Sequence, residues 1–454
     1  MDFETLTANQ RIFFASGKTR NIAFRKEQLD KLGDWIKRND ERIMAALTAD
    51  LGKARFEGYA TEIGVVLDDL RYIRHRLGHW ARDKTVVSPL KQFPSRSFKR
   101  PEPYGCVLIL SPWNYPFMLT VGPLLGAIAA GNCAVVKPSA YSPNSSAILA
   151  EMARACFSPE YIAVVEGGRE ENRALLEQRY DYIFFTGSIA VGKTVMAAAA
   201  KNLTPLTLEL GGKSPCIVDE SANIPLAARR IAWGKYLNAG QTCVAPDYLL
   251  VHKNVKDRLL KELAACVETF YGKSPLDSPD CPKMINQKHF DRVLGLTRGE
   301  HFLFGGVSDP ARLKIAPAAL DNISFDSPVM QEEIFGPVLP VLTFENLREA
   351  VDKVAILPRP LALYVFTTKR ENERFVLNSL RFGGGCVNDT VVHLATSHMP
   401  FGGVGESGMG GYHGKDSFRT FSHYKSIMKK SNLIDLPLRY PPYKEIYLKL
   451  LKRM

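Results

Sequence analysis

The chain has 454 residues, 46% hydrophobic and 23% charged, which describes an ordinary globular protein with enough apolar material for two or three domains. Its formal charge is +12, but the basic residues are spread along the chain among acids, so the balance predicts a solvated surface and excludes a nucleic-acid footprint, which needs a clustered patch. The eight cysteines stand singly, without a C-x-x-C pair or a histidine cluster, a reducing-compartment pattern that offers neither a metal site nor a disulfide framework. The acidic start MDFETLTANQ lacks the features of a secretion signal, so a cytoplasmic protein is expected. No apolar run reaches the ~18 residues of a membrane helix.

From Asn9 to Leu51 the apolar spacing is helical, with Leu29, Leu32, Trp35, Ile36, Ile43 and Leu47 near one face, and predicts an N-terminal wrapper. The stretch VVSPLKQFPSRSFKRPEPYG mixes Pro, Ser and basic residues with short extended pieces and reads as an exposed hairpin. A strand-then-helix rhythm follows. CVLIL, CAVVKP, YIAVVEG and YIFFTG are short apolar runs with turn signals behind them, the pattern of a parallel α/β sheet, and LLGAIAAGNCAVV reads as a buried helix entering a strand. A second α/β block begins near Gly211, with candidate strands SPCIVD, YLLVHK, PVLPVLTF and LALYVFTT. Near the end, Gly403, Gly405 and Gly408 spell G-x-G-x-x-G, but they follow SHMP rather than a strand, so a flexible loop is expected.

The segment YIFFTGSIAVGKTVMAAAAKN leaves two readings open on spacing alone. Gly187, Gly192, Lys193 and Thr194 fit the pattern G-x-x-x-x-G-K-[ST], with Asp219 as a candidate magnesium partner, which would make a nucleotide triphosphatase. Alternatively, Ser188-Ile189-Ala190-Val191 starts a helix, because β-branched residues resist the wrapped backbone of a phosphate loop. The free N–H groups of that helix would face the pyrophosphate of a dinucleotide.

Five further motifs decide between them. LTLELGGKSP, NAGQTCVAPDYLL, PWNYP, KPSA and QEEIFGPV resemble, in order and approximate spacing, the signature motifs of the aldehyde dehydrogenase superfamily, and the short N-terminus, CVAPDYLL and MPFGGVGESGMGGYHGKDSF are similar to its class 3 group. The resemblance implies a Rossmann-like cofactor domain (1–82 and 106–210), an α/β catalytic domain (211–390), and a hairpin arm with a C-terminal tail (83–105 and 391–454) that assembles a homodimer. It implies NAD or NADP as cofactor and an aliphatic medium-to-long-chain or aromatic aldehyde as substrate. A phosphorylated-aldehyde or CoA-acylating member is the nearest enzymatic alternative.

Each role rests on chemistry as well as likeness. A bare carbonyl carbon has no hydride to release, whereas a thiolate adduct does, and Cys243 matches the nucleophile. Asn114, with the Cys243 backbone N–H, matches the oxyanion donors. Glu209 matches the base that activates water on the thioester, with Glu333 as the competing carboxylate. Trp113, Lys137, Ala140, Gly187, Ser188, Gly192, Glu333 and Phe335 fall at the cofactor positions that the resemblance implies. Many members carry Glu where this chain has Ala140; its loss removes an anchor for a ribose diol and an obstacle to a 2′-phosphate, so ready use of NADP is expected. The tail YKEIYLKLLKRM is expected to pack on the body with a solvated basic face rather than lie on a membrane.

Overall fold

The computed structural model describes residues 2–452, without the side chain of Leu438; Arg453 and Met454, the last residues of the basic tail, lie outside the described residues. Its centre is a six-stranded sheet in the order Gly408–Met409, Leu206–Glu209, Tyr182–Thr186, Cys106–Leu110, Cys133–Lys137, Ile162–Val164, parallel except for the first strand. CVLIL and CAVVK are apolar at almost every position because helices cover both faces of the sheet, and all their residues are buried. Helix Met118–Ala130 is buried on every side and ends at Gly131, whose φ of 95° supplies the left-handed turn back into the next strand.

The strand order reverses beside Cys106–Leu110: the chain runs outward through Cys133–Lys137 and Ile162–Val164, then returns to the other side as Tyr182–Thr186. Ligands of open α/β sheets bind at the carboxyl ends of strands at such a switch point. Leu110 pairs there with both Lys137 and Phe185, and Thr186 pairs with Glu209, so the loops after these strands converge on one edge.

A seven-stranded sheet follows: His301–Phe304, Ala318–Asp321, Val338–Phe344, Tyr248–His252, Pro215–Val218, Ala362–Phe366 and Gly384–Val387, antiparallel only between the first two. All four strands expected in the second block are present here. The hairpin is also present: Lys84–Val86 and Ser95–Pro103 pair antiparallel, and Ser422–Lys430 completes a three-stranded arm. The N-terminal wrapper folds as helices Phe3–Ala15, Ile22–Arg38 and Asp40–Leu51, with Leu29, Leu32, Ile36 and Ile43 fully buried.

Two expectations are corrected. The stretch Gly403–Gly408 is built structure rather than a flexible loop: Gly408–Met409 adds an antiparallel strand beside Leu208–Glu209, Ser407 accepts from the Leu210 N–H (3.0 Å), and Phe401 bridges Tyr412. Glycines are needed because backbones touch here; a Cβ on Gly408 would lie 2.1 Å from the Leu208 carbonyl oxygen. The tail does not pack on the body. Helix Glu445–Leu451 has no buried residue, and Ile446 and Leu450 are exposed.

Candidate active site

Two cavities meet at Cys243. The first, about 150 Å³, is lined among others by Val65, Met118, Leu119, Trp233, Val391, Val392 and His413, with no Asp, Glu, Lys or Arg among its walls. The second, about 260 Å³, contains Trp113, Asn114, Gly187, Ser188, Glu209, Glu333 and Phe335. Cys243, Leu119, Phe401 and Tyr412 belong to both. Eight of the residues singled out from sequence therefore share one cavity; Lys137, Ala140 and Gly192 lie outside its walls.

The cysteine is delivered by a turn of unusual backbone. Asn238, Ala239 and Gly240 all have positive φ (53°, 52° and 70°), a conformation that non-glycine residues adopt only when their surroundings impose it. The side chain of Gln241 imposes it here: its Nε2 donates to Asn238 O and Lys283 O (both 3.0 Å), and its Oε1 accepts from Ile285 N–H (3.0 Å). Burial raises the Cys243 thiol well above its ordinary range, reinforced by the carboxylates of Glu333 and Glu209, while its own N–H and that of Val244 favour the thiolate.

Glu209 ends its strand 2% exposed, and neither of its carboxylate oxygens has a hydrogen-bond partner. Burial alone pushes its pKa well up. Gly402 of the glycine-rich segment stands against it, where a Cβ would come within 3.1 Å of its Oε1. Glu333 approaches from the opposite wall, its pKa raised to about 8 by burial and then by Asp247. It passes so close to Gly211 that a Cβ there would lie 2.0 Å from its Oε2. Its strap is fixed by Arg292, which donates to Glu333 O (3.2 Å) and Ile334 O (2.6 Å), and by Asp247, which accepts from Ile334 N–H (3.0 Å). Phe335 sits at φ 48° with its ring 5.4 Å, edge-on, from Trp113.

Asn114 is 3% exposed. One N–H of its carboxamide goes to Gln241 O (3.0 Å), leaving the second uncommitted. A thiol flanked by two carboxylates and an amide donor can add to a carbonyl carbon and later be released by activated water.

The residues also fit a dinucleotide. Helix Ile189–Ala200 begins at the switch point, capped by Ser188, whose Oγ accepts from Val191 N–H (3.5 Å), and its remaining N–H groups offer an anion site. A phosphate cradle is not formed: Lys193 and Thr194 are exposed on the helix, and Asp219 lies in the other sheet's surroundings, satisfied by Ser221, Thr367 and Asn372. Lys137, at its strand's end, donates to Pro138 O (2.8 Å) and Gly167 O (2.6 Å), which leaves one hydrogen; burial lowers its pKa to about 8. Ala140 is exposed in the following turn.

Sequence reasoning missed Phe401 and Tyr412, which wall both cavities, and the Gln241 clamp. The glycine spacing around Phe401 was the available signal, since glycines so dense mark backbone approaching backbone.

A sheet with a dinucleotide switch point, opening onto a partly buried thiol in a cavity with two carboxylates, is the arrangement of an oxidoreductase that can work through a covalent adduct. The model of the aldehyde dehydrogenase family matches residues 5–427, and the chain belongs to that family. Its reaction is NAD(P)⁺-dependent oxidation of an aldehyde. It is 49% identical over 438 residues to the 4,4′-diaponeurosporen-aldehyde dehydrogenase of Staphylococcus aureus, covering 96% of this chain and 95% of that one. Against the dimeric NADP-preferring aldehyde dehydrogenase of Canis lupus familiaris the identity is 44%, covering 95% and 96%. A solved structure of Staphylococcus aureus AldH in a substrate-bound state superposes with a TM-score of 0.98 at 48% identity, covering 100% and 99%.

Because burial and two carboxylates hold the thiol protonated, alkylation of Cys243 by iodoacetamide in the cofactor-free enzyme should be slow at neutral pH and still climbing at about pH 9. Peptide mass spectrometry of timed samples reads it. A rate that levels off near neutrality would contradict the electrostatics described.

Proposed function

We propose that the chain oxidises an apolar aldehyde, medium- or long-chain aliphatic or aromatic, to the carboxylic acid, with Cys243 as nucleophile and Glu209 as the base that releases the product. The observation that carries this reading is the meeting of an uncharged tunnel and a carboxylate-bearing cavity at one thiol. The tunnel's only titratable ring nitrogens, those of His413, are kept neutral by burial, with a pKa of about 4. Such walls favour a hydrocarbon over a phosphorylated aldehyde, whose dianion would need a cation. The name of the Staphylococcus aureus relative, which acts on a diaponeurosporen-aldehyde, is in keeping with this.

In this mechanism Cys243 loses its proton to solvent and attacks the carbonyl carbon as the thiolate, which gives a tetrahedral hemithioacetal anion. Its oxyanion is held by the uncommitted N–H of Asn114 and the backbone N–H of Cys243, and loss of one such donor typically costs ~10²–10³ in rate. Trp113, Lys137, Ser188, Glu333, Phe335 and the start of helix Ile189–Ala200 would hold NAD(P)⁺, which would supply the hydride acceptor. The adduct becomes a thioester on Cys243. Glu209 then takes a proton from water, the hydroxide adds to the thioester carbonyl, and the Cys243 thiolate leaves. Glu209 suits this step because burial, with no hydrogen bond from the protein to either oxygen, raises its affinity for a proton.

Residues 1–82 and 106–210 form the cofactor domain in this proposal, and 211–390 the catalytic domain. The arm assembles a homodimer, supported by its open edge strand Ser422–Lys430 and by exposed Val87, Leu90 and Phe93 elsewhere in the arm. A cytoplasmic setting accords with eight cysteines that are all free thiols.

NADP should be accepted at least as readily as is usual for class 3 enzymes. Glu171, the acid nearest Lys137 in charge terms, is committed to capping its own helix through Gly168 N–H (2.5 Å), so it does not replace the carboxylate that Ala140 lacks. A carboxylate ~4 Å from a 2′-phosphate costs about 1 kcal/mol even in water. Ala140→Glu is expected to shift the kcat/KM ratio several-fold towards NAD; a strictly NAD-dependent parent, or an unmoved ratio, contradicts the argument.

Glu209→Gln should leave the first turnover intact and slow the release step. Rapid mixing is expected to show a burst of reduced cofactor close to one per site, followed by turnover slowed about 10²-fold or more. Loss of the burst would assign Glu209 an earlier role or make Glu333 the base.

A further inference from the structure

The segment that follows the N-terminal wrapper carries a fully buried ion pair that the proposed reaction does not use. Lys53 and Glu62 are both 0% exposed, with Nζ 2.5 Å from Oε1. Such a pair is weak evidence for stability, because desolvating two charges costs as much as their attraction returns, and an apolar pair of similar volume often serves as well. Its partners show what else it does.

The remaining hydrogen bonds of both side chains run to the loop that carries Asn114. Lys53 Nζ donates to the Asn114 carbonyl oxygen (3.0 Å) and lies 3.9 Å from the centre of the Tyr115 ring. The second oxygen of Glu62 accepts from Phe117 N–H (2.8 Å) and Met118 N–H (3.1 Å), fixing the start of helix Met118–Ala130. Glu62 itself stands in a π-helical turn, Tyr59–Ile63, an uncommon geometry that is frequent where a side chain must be aimed.

The same carbonyl of Asn114 accepts a second bond, from Asn238 Nδ2 (2.8 Å), and Asn238 lies in the strained turn before Cys243. Glu57, on the same segment as Lys53, accepts from Asn238 N–H (3.0 Å). Thus the peptide plane of Asn114 is clamped from one side by Lys53 and from the other by the cysteine turn. With that plane fixed and one carboxamide N–H tied to Gln241, the direction of the second N–H is determined.

We propose that Lys53, anchored by Glu62, is a positioning residue of the reaction, which acts on the oxyanion through Asn114 by fixing the peptide that bears its carboxamide. The inference rests on the reading of Asn114 as an oxyanion donor given above. Lys53 lines neither of the cavities that meet at Cys243, so it touches neither substrate nor cofactor.

The test is a double-mutant cycle on the full-length enzyme. Lys53→Met combined with Glu62→Gln removes both charges while keeping volume. The carboxamide oxygen introduced by Glu62→Gln can still accept from the helix start, so the fold and cofactor affinity should stay near the parent's. Melting temperature and NADPH fluorescence titration check both. The rate of the first turnover is expected to fall about ten- to a hundredfold, part of what loss of an oxyanion donor costs. In an Asn114→Ala background the same pair of changes should alter that rate by less than about twofold. Should the pair fail to fold, Glu62→Gln alone, which keeps the Lys53–Asn114 bond but loosens its anchor, goes through the same cycle. Full multiplication of the two effects, or a parent-like rate in the Lys53 and Glu62 variant, overturns the positioning role. A parent-like rate in Asn114→Ala alone overturns the oxyanion reading itself, and the positioning role with it.

Discussion

The geometry of the site hangs on a strained turn. Three consecutive residues, Asn238 to Gly240, hold left-handed backbone, and the chain emerges from them with Cys243 at the junction of two cavities. Two non-glycine residues in this region cost on the order of 1–3 kcal/mol each, so the turn persists only because its surroundings over-determine it. Gln241 binds it to residues 283–285, Asn238 binds it to the Asn114 peptide, and Glu57 binds it to the segment that follows the wrapper. The thiol is therefore located jointly by both α/β blocks and the N-terminal helices.

The second constraint is the burial of Glu209 without a protein partner, and backbone contributes to it. By adding a strand beside Leu208–Glu209, the glycine-rich segment brings main chain where side chains would not fit, and Glu209 is left buried with both oxygens unpartnered. A carboxylate in this state binds a proton tightly, the property needed to draw one from water against a thioester. Glu333 is held differently, by a strap that Arg292 and Asp247 fix; burial and Asp247 raise its pKa to about 8, against the pull of the Gly212 N–H and of Lys213 and Arg292. Two acids in one cavity are thus given different chemistry by their supports.

Much of this could be read from sequence where local pattern and structure agree. Apolar runs such as CVLIL became central strands because both faces are covered, and the 3.6-residue spacing of Leu29, Leu32 and Ile36 became the buried face of a helix. The motifs around Cys243, Glu209, Asn114 and Glu333 named residues that share a cavity. Elsewhere the pattern misled. Gly403–Gly408 looked like a loop because glycine density marks both flexible chain and close-packed backbone, and only the neighbouring strand distinguishes them. Lys53 and Glu62 were invisible because charges beside an amphipathic helix ordinarily face water, and nothing local reveals that these two face each other. The tail read as amphipathic, yet amphipathicity supplies an apolar face without a surface to receive it.

In the proposed reaction these features serve one covalent intermediate on one sulfur, released through one carboxylate. The most direct test traps it. Glu209→Gln enzyme turning over an apolar aldehyde such as octanal with NADP⁺ is quenched in acid within a second and digested, and the cysteine peptides are weighed by mass spectrometry. The account predicts the mass of the corresponding acyl group on the peptide containing Cys243 and on no other cysteine, together with its loss on treatment with hydroxylamine. Unmodified Cys243 during steady turnover, or acylation of a different cysteine, would contradict it.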